Sequence, residues 1–148
     1  MGKILISLLI FLYSIDIRSE NLQYCNLTLE INGFKNDKGW ARIAIFDNKN
    51  KKAFPSEYKK AIVKKVTRIK DKKVIIQIDS LKYGIYAVSV HHDEDANNEI
   101  NTNWIGLPKE GLGASNDAKG NFGPPGFDDA AINLNQPKIK IFINIYNP

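Results

Sequence analysis

Apolar and polar residues alternate most clearly in two segments, one near each end of the chain. From Tyr24 to Asn32 every second residue is apolar, and these residues are Cys25, Leu27, Leu29 and Ile31. Successive side chains of a β-strand point to opposite faces, so this pattern predicts a strand with one buried face. Residues 139–146 repeat the pattern, with isoleucine at every second position. The strongest periodicity in the chain is therefore that of β-structure.

Four further segments have the composition of strands, and polar turns separate most of them. They are residues 40–47, 62–69, 74–78 and 85–92, and a short seventh strand is predicted near residues 130–134. Residues 40–47 are apolar on both faces apart from Arg42, which is typical of a central strand. No segment has the periodicity of a long amphipathic helix. The pattern predicts an all-β fold, an antiparallel seven-stranded β-sandwich.

The N-terminal segment has the pattern of a secretory signal peptide. Lys3 precedes an apolar run from Ile4 to Tyr13, and charged residues follow it from Asp16 onward. The run is shorter than the roughly 20 residues that a membrane-spanning helix needs. We therefore expect residues 1–19 to be a signal peptide and residues 20–148 to be one extracytoplasmic domain without a transmembrane span. An uncleaved anchor or a buried N-terminal strand is the alternative.

Composition and the single cysteine narrow the class of protein. The chain has 148 residues, of which 43% are hydrophobic and 25% charged, as in ordinary globular domains. This excludes a disordered tail, a collagen-like rod and a multispanning membrane protein. Cys25 is the only cysteine and cannot form an internal disulfide, so a packed core must stabilise the domain.

Charge is distributed unevenly along the chain. Residues 49–73 carry a net charge of +9, whereas residues 93–129 carry −6. A basic stretch can bind nucleic acid or an anionic surface. Because arginine is scarce and isoleucine, lysine and asparagine are abundant throughout, we interpret the lysines as a solvated surface. No nucleic-acid partner is expected.

More than 40 residues separate the predicted strand ending at His92 from the last strand. This excursion holds six of the ten glycines together with apolar residues such as Trp104, Phe122 and Phe127. Connections of that length in compact domains are usually functional or disordered, and aromatic residues are scarce in disordered segments. We therefore predict one long ordered loop before the last strand, packed over one end of the domain.

The first part of this loop resembles a calcium-binding loop. Hard cations take six to eight oxygen ligands, which acidic and amide side chains supply at alternate positions of a tight loop. The predicted metal ligands are Asp93, Asp95, Asn97, the backbone carbonyl of Glu99, and Asn101. Asn98 stands where such loops need a left-handed residue, and asparagine tolerates that conformation.

Two features separate this segment from an EF-hand. Trp104 occupies the twelfth position, where a bidentate glutamate is expected, and a strand rather than a helix precedes the loop. A further ligand would then come from Asn103, Glu110, Asp128 or Asp129. The alternative interpretation is an exposed turn in which Asp and Asn side chains cap their own backbone.

Catalytic motifs are absent from the sequence. His91 and His92 are adjacent in a predicted strand and should point to opposite faces, so they cannot both bind one ion. His92 lies on the apolar face and is interpreted as structural. A hydrolase that pairs His92 with Asp128 or Asp129 is the enzymatic alternative. A protein that is not an enzyme is the favoured interpretation.

Several motifs resemble a secreted bacterial family called domain of unknown function 2141. They are residues 33–46, 83–88, 92–97, 105–111, 120–125 and 127–130. The resemblance implies an extracytoplasmic β-sandwich of the immunoglobulin or prealbumin type, similar to transthyretin-like and carboxypeptidase regulatory domains. Members of the family often have glycine in the acidic loop, where this chain has Asn97 and Asn98, and aspartate near position 101, where it has Asn101.

Taken together, these features predict an exported binding module with a calcium-stabilised loop. A structural or adhesion domain of the cell envelope is the alternative, with the lysine-rich stretch in contact with anionic envelope polymers. The expected partner is an envelope polymer or another protein, and the sequence does not choose between them.

Overall fold

A computed structural model describes residues 23–148. The predicted signal peptide, residues 1–19, and its alternatives as an anchor or a buried strand lie outside the described residues. Eight strands and one short α-helix occur in the described part of the chain. The strands are β1 (Tyr24–Asn32), β2 (Trp40–Asp47), β3 (Val63–Thr67), β4 (Lys73–Lys82), β5 (Gly84–Asp93), β6 (Leu112–Ala114), β7 (Ile132–Leu134) and β8 (Lys138–Asn144), and the helix is α1 (Phe127–Ala130).

The strands form two sheets. The smaller sheet has the order β4–β1–β8, and the larger has the order β3–β2–β5–β6 with β7 also paired to β5. Short 3₁₀ helices at Asn48–Ala53, Tyr58–Lys60 and Ser115–Asp117 join the strands. Within residues 23–148, no helix is long and apolar enough to cross a membrane. The all-β prediction is confirmed at the level of strands arranged in two sheets.

Two details of the predicted architecture are wrong. β1 and β8 pair in parallel, so the fold is not purely antiparallel. Parallel neighbours need a long connection between them, and nearly the whole domain supplies it here. The strand count is eight rather than seven, because β6 pairs with β5 inside the segment that was predicted as one long loop. Three residues are too few for an alternating pattern to reveal a strand.

One hydrophobic core lies between the two sheets. The inward residues of β1, which are Cys25, Leu27, Leu29 and Ile31, are fully buried in it, as their alternation predicts. Ile43 and Ile45 of β2 join the same cluster from the larger sheet. A second cluster covers the outer face of β2, where Phe46 packs with Phe54 and Phe127. This covering explains why β2 is apolar on both faces, and β2 is central in its sheet as predicted.

A pair of lysines on the outer face of the smaller sheet makes stability depend on pH. Lys140 Nζ lies 2.6 Å and Lys73 Nζ 2.9 Å from the carboxylate of Glu30. These hydrogen bonds, the one from Lys140 first, lower the pKa of Glu30 from 4.5 to about 2. A lowered folded-state pKa means that the stabilisation is complete above pH 4.5 and is lost as pH falls toward 2.

We expect Glu30→Gln to flatten the pH dependence of the unfolding free energy over that window. Urea unfolding at a series of pH values in low salt measures it, because salt screens exposed charge pairs. Parallel curves for the wild type and the variant would contradict this assignment.

Candidate metal centre

Asp93 is the last residue of β5 and is fully buried. Its Oδ1 accepts a hydrogen bond from the backbone N–H of Asn97 at 3.1 Å, and its Oδ2 accepts one from Asn98 at 3.1 Å. The guanidinium of Arg42, on the neighbouring strand β2, lies 3.7 Å from Oδ2. A buried carboxylate is stable only when it is paired and hydrogen-bonded, and Asp93 meets both conditions.

The loop after β5 turns tightly around the second acidic residue, Asp95. Ala96 and Asn98 have φ of 61° and 68°, so Asn98 adopts the left-handed conformation that the sequence predicted. Asp95 Oδ2 accepts a hydrogen bond from Asn101 Nδ2 at 2.8 Å, and Asp95 Oδ1 accepts one from Asn97 N at 3.2 Å. The bond from Asn101 is the largest cause that holds the pKa of Asp95 below its ordinary value. These hydrogen bonds and the exposure of Asp95 to solvent both favour its ionised form.

Glu110 reaches the same place from the far side of the loop. Its side chain is buried, and its Oε1 accepts a hydrogen bond from Glu94 N at 3.0 Å. Its Oε2 accepts one from Asn101 N at 2.9 Å and lies 2.9 Å from Nε2 of His91. Glu110 thus joins the end of β5 to the segment that returns toward β6.

These three carboxylates form a cluster that could hold a metal ion. One oxygen from each of Asp93, Asp95 and Glu110 lies within 4.8 Å of the others, and only Asp95 is exposed. Two of the carboxylates are therefore buried, and the third is in contact with solvent. Arg42 contacts the cluster from β2 and opposes part of its negative charge, and Nε2 of His91 on β5 lies 2.9 Å from Glu110 Oε2.

The structure places the predicted ligands in two groups. Asp93 and Asp95 belong to the carboxylate cluster. The amide groups of Asn97 and Asn101 contact each other at 2.9 Å, and Asn97 Oδ1 accepts a hydrogen bond from Glu99 N at 2.7 Å. These bonds are those of a turn that caps its own backbone. Ligation by Asn97, Glu99 and Asn101 remains a prediction.

The sequence offered four residues as a further ligand, and Glu110 is the one that lies in the cluster. The other three are Asn103, Asp128 and Asp129. Asn103 Oδ1 instead accepts hydrogen bonds from two backbone N–H groups of its own turn. Asp128 and Asp129 lie on α1, which packs through Phe127 into the second hydrophobic cluster, and Asp128 is 3.9 Å from Lys51. The sequence could not select Glu110, because no periodicity links it to the acidic loop.

The two histidines lie on opposite faces of β5, as predicted. His91 contacts Glu110, whereas His92 is fully buried, with its ring 5.2 Å from that of Phe34. His92 Nε2 lies 3.0 Å from the carbonyl oxygen of Lys38, and its Nδ1 has no hydrogen-bond partner among residues 23–148. Neither ring nitrogen bonds to α1, so the histidine–aspartate pair of the hydrolase alternative does not form in this structure.

Comparison with known proteins identifies a bacterial family. A family described as an uncharacterized protein conserved in bacteria (DUF2141) matches residues 29–141. No curated protein and no solved structure matches the chain. The matched residues run from β1 into β8 and include all three carboxylates of the cluster. The chain therefore belongs to the DUF2141 family of bacterial proteins.

Proposed function

We propose that this protein is an exported, non-catalytic binding module with a Ca²⁺ ion in its acidic loop. The observation that carries the proposal is the position of Glu110, which lies 15 residues after Asp95 and comes within 4.8 Å of both Asp93 and Asp95. Glu110 caps two backbone N–H groups of the loop, those of Glu94 and Asn101, and at the same time adds a second buried carboxylate beside Asp93. Three carboxylates in one place repel one another unless a cation or hydrogen-bond donors offset their charge.

The chemistry of the donors favours calcium over softer metals. All three acidic ligands offer oxygen, and the side-chain amides of Asn97 and Asn101 contact Asp95, which matches the preference of Ca²⁺ for oxygen ligands. Asn97, Asn101 and the carbonyl of Glu99 are the proposed additional ligands. Asn97 Oδ1 and Asn101 Oδ1 now accept hydrogen bonds within the loop, so each would exchange such a bond for the ion.

Export and the class of sandwich belong to the same proposal. The charged and apolar pattern of residues 1–19 supports passage across a membrane, and the shared core of the two sheets supports a prealbumin-like sandwich. The exposed lysines of edge strand β3, Lys64 and Lys65, are the feature on which the alternative, an adhesion domain in contact with an anionic envelope polymer, depends. Lysines on an edge strand also discourage pairing between sheets of different molecules.

Removing one charge from the cluster tests the proposal. We expect Ca²⁺ to raise the Tm of the wild-type protein by several degrees, because about a hundredfold excess over Kd stabilises the folded state by about 2.7 kcal/mol. Asp95→Asn should abolish this shift and the calorimetric heat of binding. Asp95 is exposed, so the variant should fold normally.

Glu99→Gln is the matched control, because it removes one negative charge from the same loop without altering the carboxylate cluster. It should retain the shift. If Ca²⁺ changes neither the heat nor the Tm of the wild type at millimolar concentration, the calcium proposal is wrong. An equal loss in both variants would indicate general charge attraction rather than a defined site.

A further inference from the structure

The edge of the larger sheet at β3 is open. β3 pairs with β2 on one side, and the strand order places no other strand of residues 23–148 on its far side. Lys64 and Val66, in the middle of β3, are both exposed. A strand edge of this kind carries unpaired N–H and C=O groups, which can pair with a strand from another chain. Which strand such an edge accepts depends on its backbone pattern and on its side chains.

The pairing of β2 with its two neighbouring strands shows which backbone groups of β3 are free. His92 N on β5 donates a hydrogen bond to the residue before β6, so its partner on β2, Ala41, directs its own backbone groups toward β3. Ala41 pairs there with Thr67. Because inward-bonded and outward-facing residues alternate along a strand, Lys64 and Val66 direct their N–H and C=O groups to the open edge.

Two cations and an apolar residue lie along the outer face of this edge. Ala44, the β2 partner of Lys64, belongs to the second hydrophobic cluster on that face. Val66 points to the same face and is 47% exposed. The guanidinium of Arg68 lies 3.6 Å from the ring centroid of Trp40, which shares a face of β2 with Ala44. The outer face of β3 therefore presents a cation, an apolar side chain and a second cation at alternate positions.

Both cations of this row are held in place by backbone carbonyl groups. Lys64 Nζ donates a hydrogen bond to the carbonyl of Lys59 at 2.8 Å, and Arg68 Nη1 donates one to the carbonyl of Gly39 at 3.2 Å. Neither cation forms an ion pair with a carboxylate in the described part of the chain. Because the two groups are already ordered, an anionic partner loses less entropy in binding them.

Positive charge is in excess at this edge when the acids of the neighbouring elements are counted. Residues 57–72 contain seven cations and two acids, and β2 adds one of each. Asp93 contacts Arg42 of β2, and Asp37 accepts hydrogen bonds from the turn after β3. Eight cations then stand against five acids. No acid occurs between residues 58 and 70, so the excess is concentrated on β3 itself.

We propose that β3 binds an extended acidic segment of a partner protein, which adds to the larger sheet as a further strand. The backbone of this segment pairs with the free N–H and C=O groups of Lys64 and Val66. Its carboxylates lie opposite Lys64, Lys65 and Arg68, and an apolar side chain lies opposite Val66. Cross-strand pairs of opposite charge and of apolar residues both stabilise such a ladder.

Two features favour a peptide over a linear anionic polymer. The open edge offers backbone donors and acceptors in alternation, and a strand satisfies both kinds along its length. Val66 places an apolar side chain between the cations, where a uniform polyanion would have no use for it. The same lysines oppose pairing with an identical strand, because like charges would lie opposite one another, and this makes the edge selective for acidic strands. None of these residues is a proposed ligand of Ca²⁺, so the inference does not depend on the calcium proposal.

Fluorescence anisotropy with a dye-labelled peptide tests the pairing. The probe is the capped peptide Glu-Thr-Val-Glu-Glu-Val-Thr, whose antiparallel register places glutamates opposite Lys64, Lys65 and Arg68. A second peptide is N-methylated at the residues opposite Lys64 and Val66, which keeps every charge and removes the donors that face β3. We expect the probe to bind in low salt and the methylated peptide to bind about tenfold more weakly. Polygalacturonate, an anionic polysaccharide, is the competitor that represents the polymer.

Three variants of the protein locate the contact. Lys64→Glu should weaken binding of the probe about tenfold, because it places like charges opposite each other. Val66→Pro keeps every charge and removes an N–H that faces the open edge, a position where a sheet tolerates proline, and it should weaken the probe about tenfold. Lys138→Glu is the matched control, because Lys138 is an exposed lysine of the other edge strand β8, and it should change nothing.

Weaker binding after both N-methylation and Val66→Pro supports strand addition. Equal binding of the two peptides, or competition by polygalacturonate together with no effect of Val66→Pro, would overturn the inference in favour of an anionic polymer. It would also be overturned if the probe does not bind at millimolar concentration in low salt, or if Lys138→Glu weakens binding as much as Lys64→Glu. The methylated peptide is compared on the wild-type protein, so the result does not require that any variant folds.

Discussion

Replacing Gly39 with alanine is expected to lower the unfolding free energy by about 3 kcal/mol and to abolish the response to Ca²⁺. Gly39 has φ of +65°, and a Cβ atom there would lie 1.9 Å from the carbonyl oxygen of Asp93. It would also lie 2.8 Å from the carbonyl carbons of Asp93 and Glu94. These are backbone atoms and cannot rotate away, so the end of β5 must move, and the carboxylate cluster moves with it.

Alanine substitutions at two other glycines distinguish backbone strain from a steric clash as the cause of this loss. Gly106 has φ of +83°, and a Cβ atom there would meet no other atom within 4 Å, so Gly106→Ala should cost only the strain, about 1 kcal/mol. Gly123 has neither a positive φ nor a close neighbour, and Gly123→Ala should be nearly neutral. Urea unfolding, monitored by circular dichroism, measures the unfolding free energy of all three variants. If Gly39→Ala lowers the unfolding free energy no more than Gly106→Ala does, a clash with the backbone of Asp93 does not contribute to the loss.

Asp93→Asn is expected to destabilise the protein by about 3 kcal/mol, because it breaks a buried ion pair from one side. The wild-type carboxylate accepts hydrogen bonds from Asn97 N and Asn98 N and lies 3.7 Å from Arg42. An amide has only one acceptor oxygen, so one backbone N–H would lose its partner and face an NH₂ group instead. The charge of Arg42, which is largely buried, would also lose its partner.

Asp95→Asn makes the same chemical change at the exposed member of the cluster and should cost about 0.5 kcal/mol. Both variants should lose Ca²⁺ binding, so only the size of the stability loss distinguishes Asp93 from Asp95. The measurements are urea unfolding in the presence of a chelator and calorimetry with Ca²⁺. Equal loss of stability in the two variants would contradict the role of burial.

Much of the fold could be predicted where the structure of a residue depends on residues close to it in the sequence. The alternation from Cys25 to Ile31 gave the buried face of β1, because side chains of a strand face one core along its whole length. The left-handed Asn98 was also predictable, since a tight loop needs such a residue and few types adopt the conformation. β6 was not, because its three residues are held by pairing with β5 rather than by their own pattern.

At the candidate site, too, the residues within one turn could be predicted from the sequence, whereas those brought in from distant segments could not. The spacing of Asp93 and Asp95 marked them as ligands, since both lie within one short turn. Glu110 was one of four alternatives, and Arg42 and His91 were not recognised as neighbours of the cluster at all. They reach it across the strand pairing of β2 with β5 and across the returning segment, so no local spacing records the contact.

The amino-acid sequence by itself determined that this protein is built from strands, which face of each long strand is buried, and where an acidic turn lies. Those properties depend on residues within a few positions of one another, whose geometry the backbone sets. The tertiary structure decided the parallel pairing of β1 with β8, the position of Glu110 beside Asp93 and Asp95, and the outward direction of Trp104. These depend on contacts between distant segments, which form only when the two sheets close on their common core.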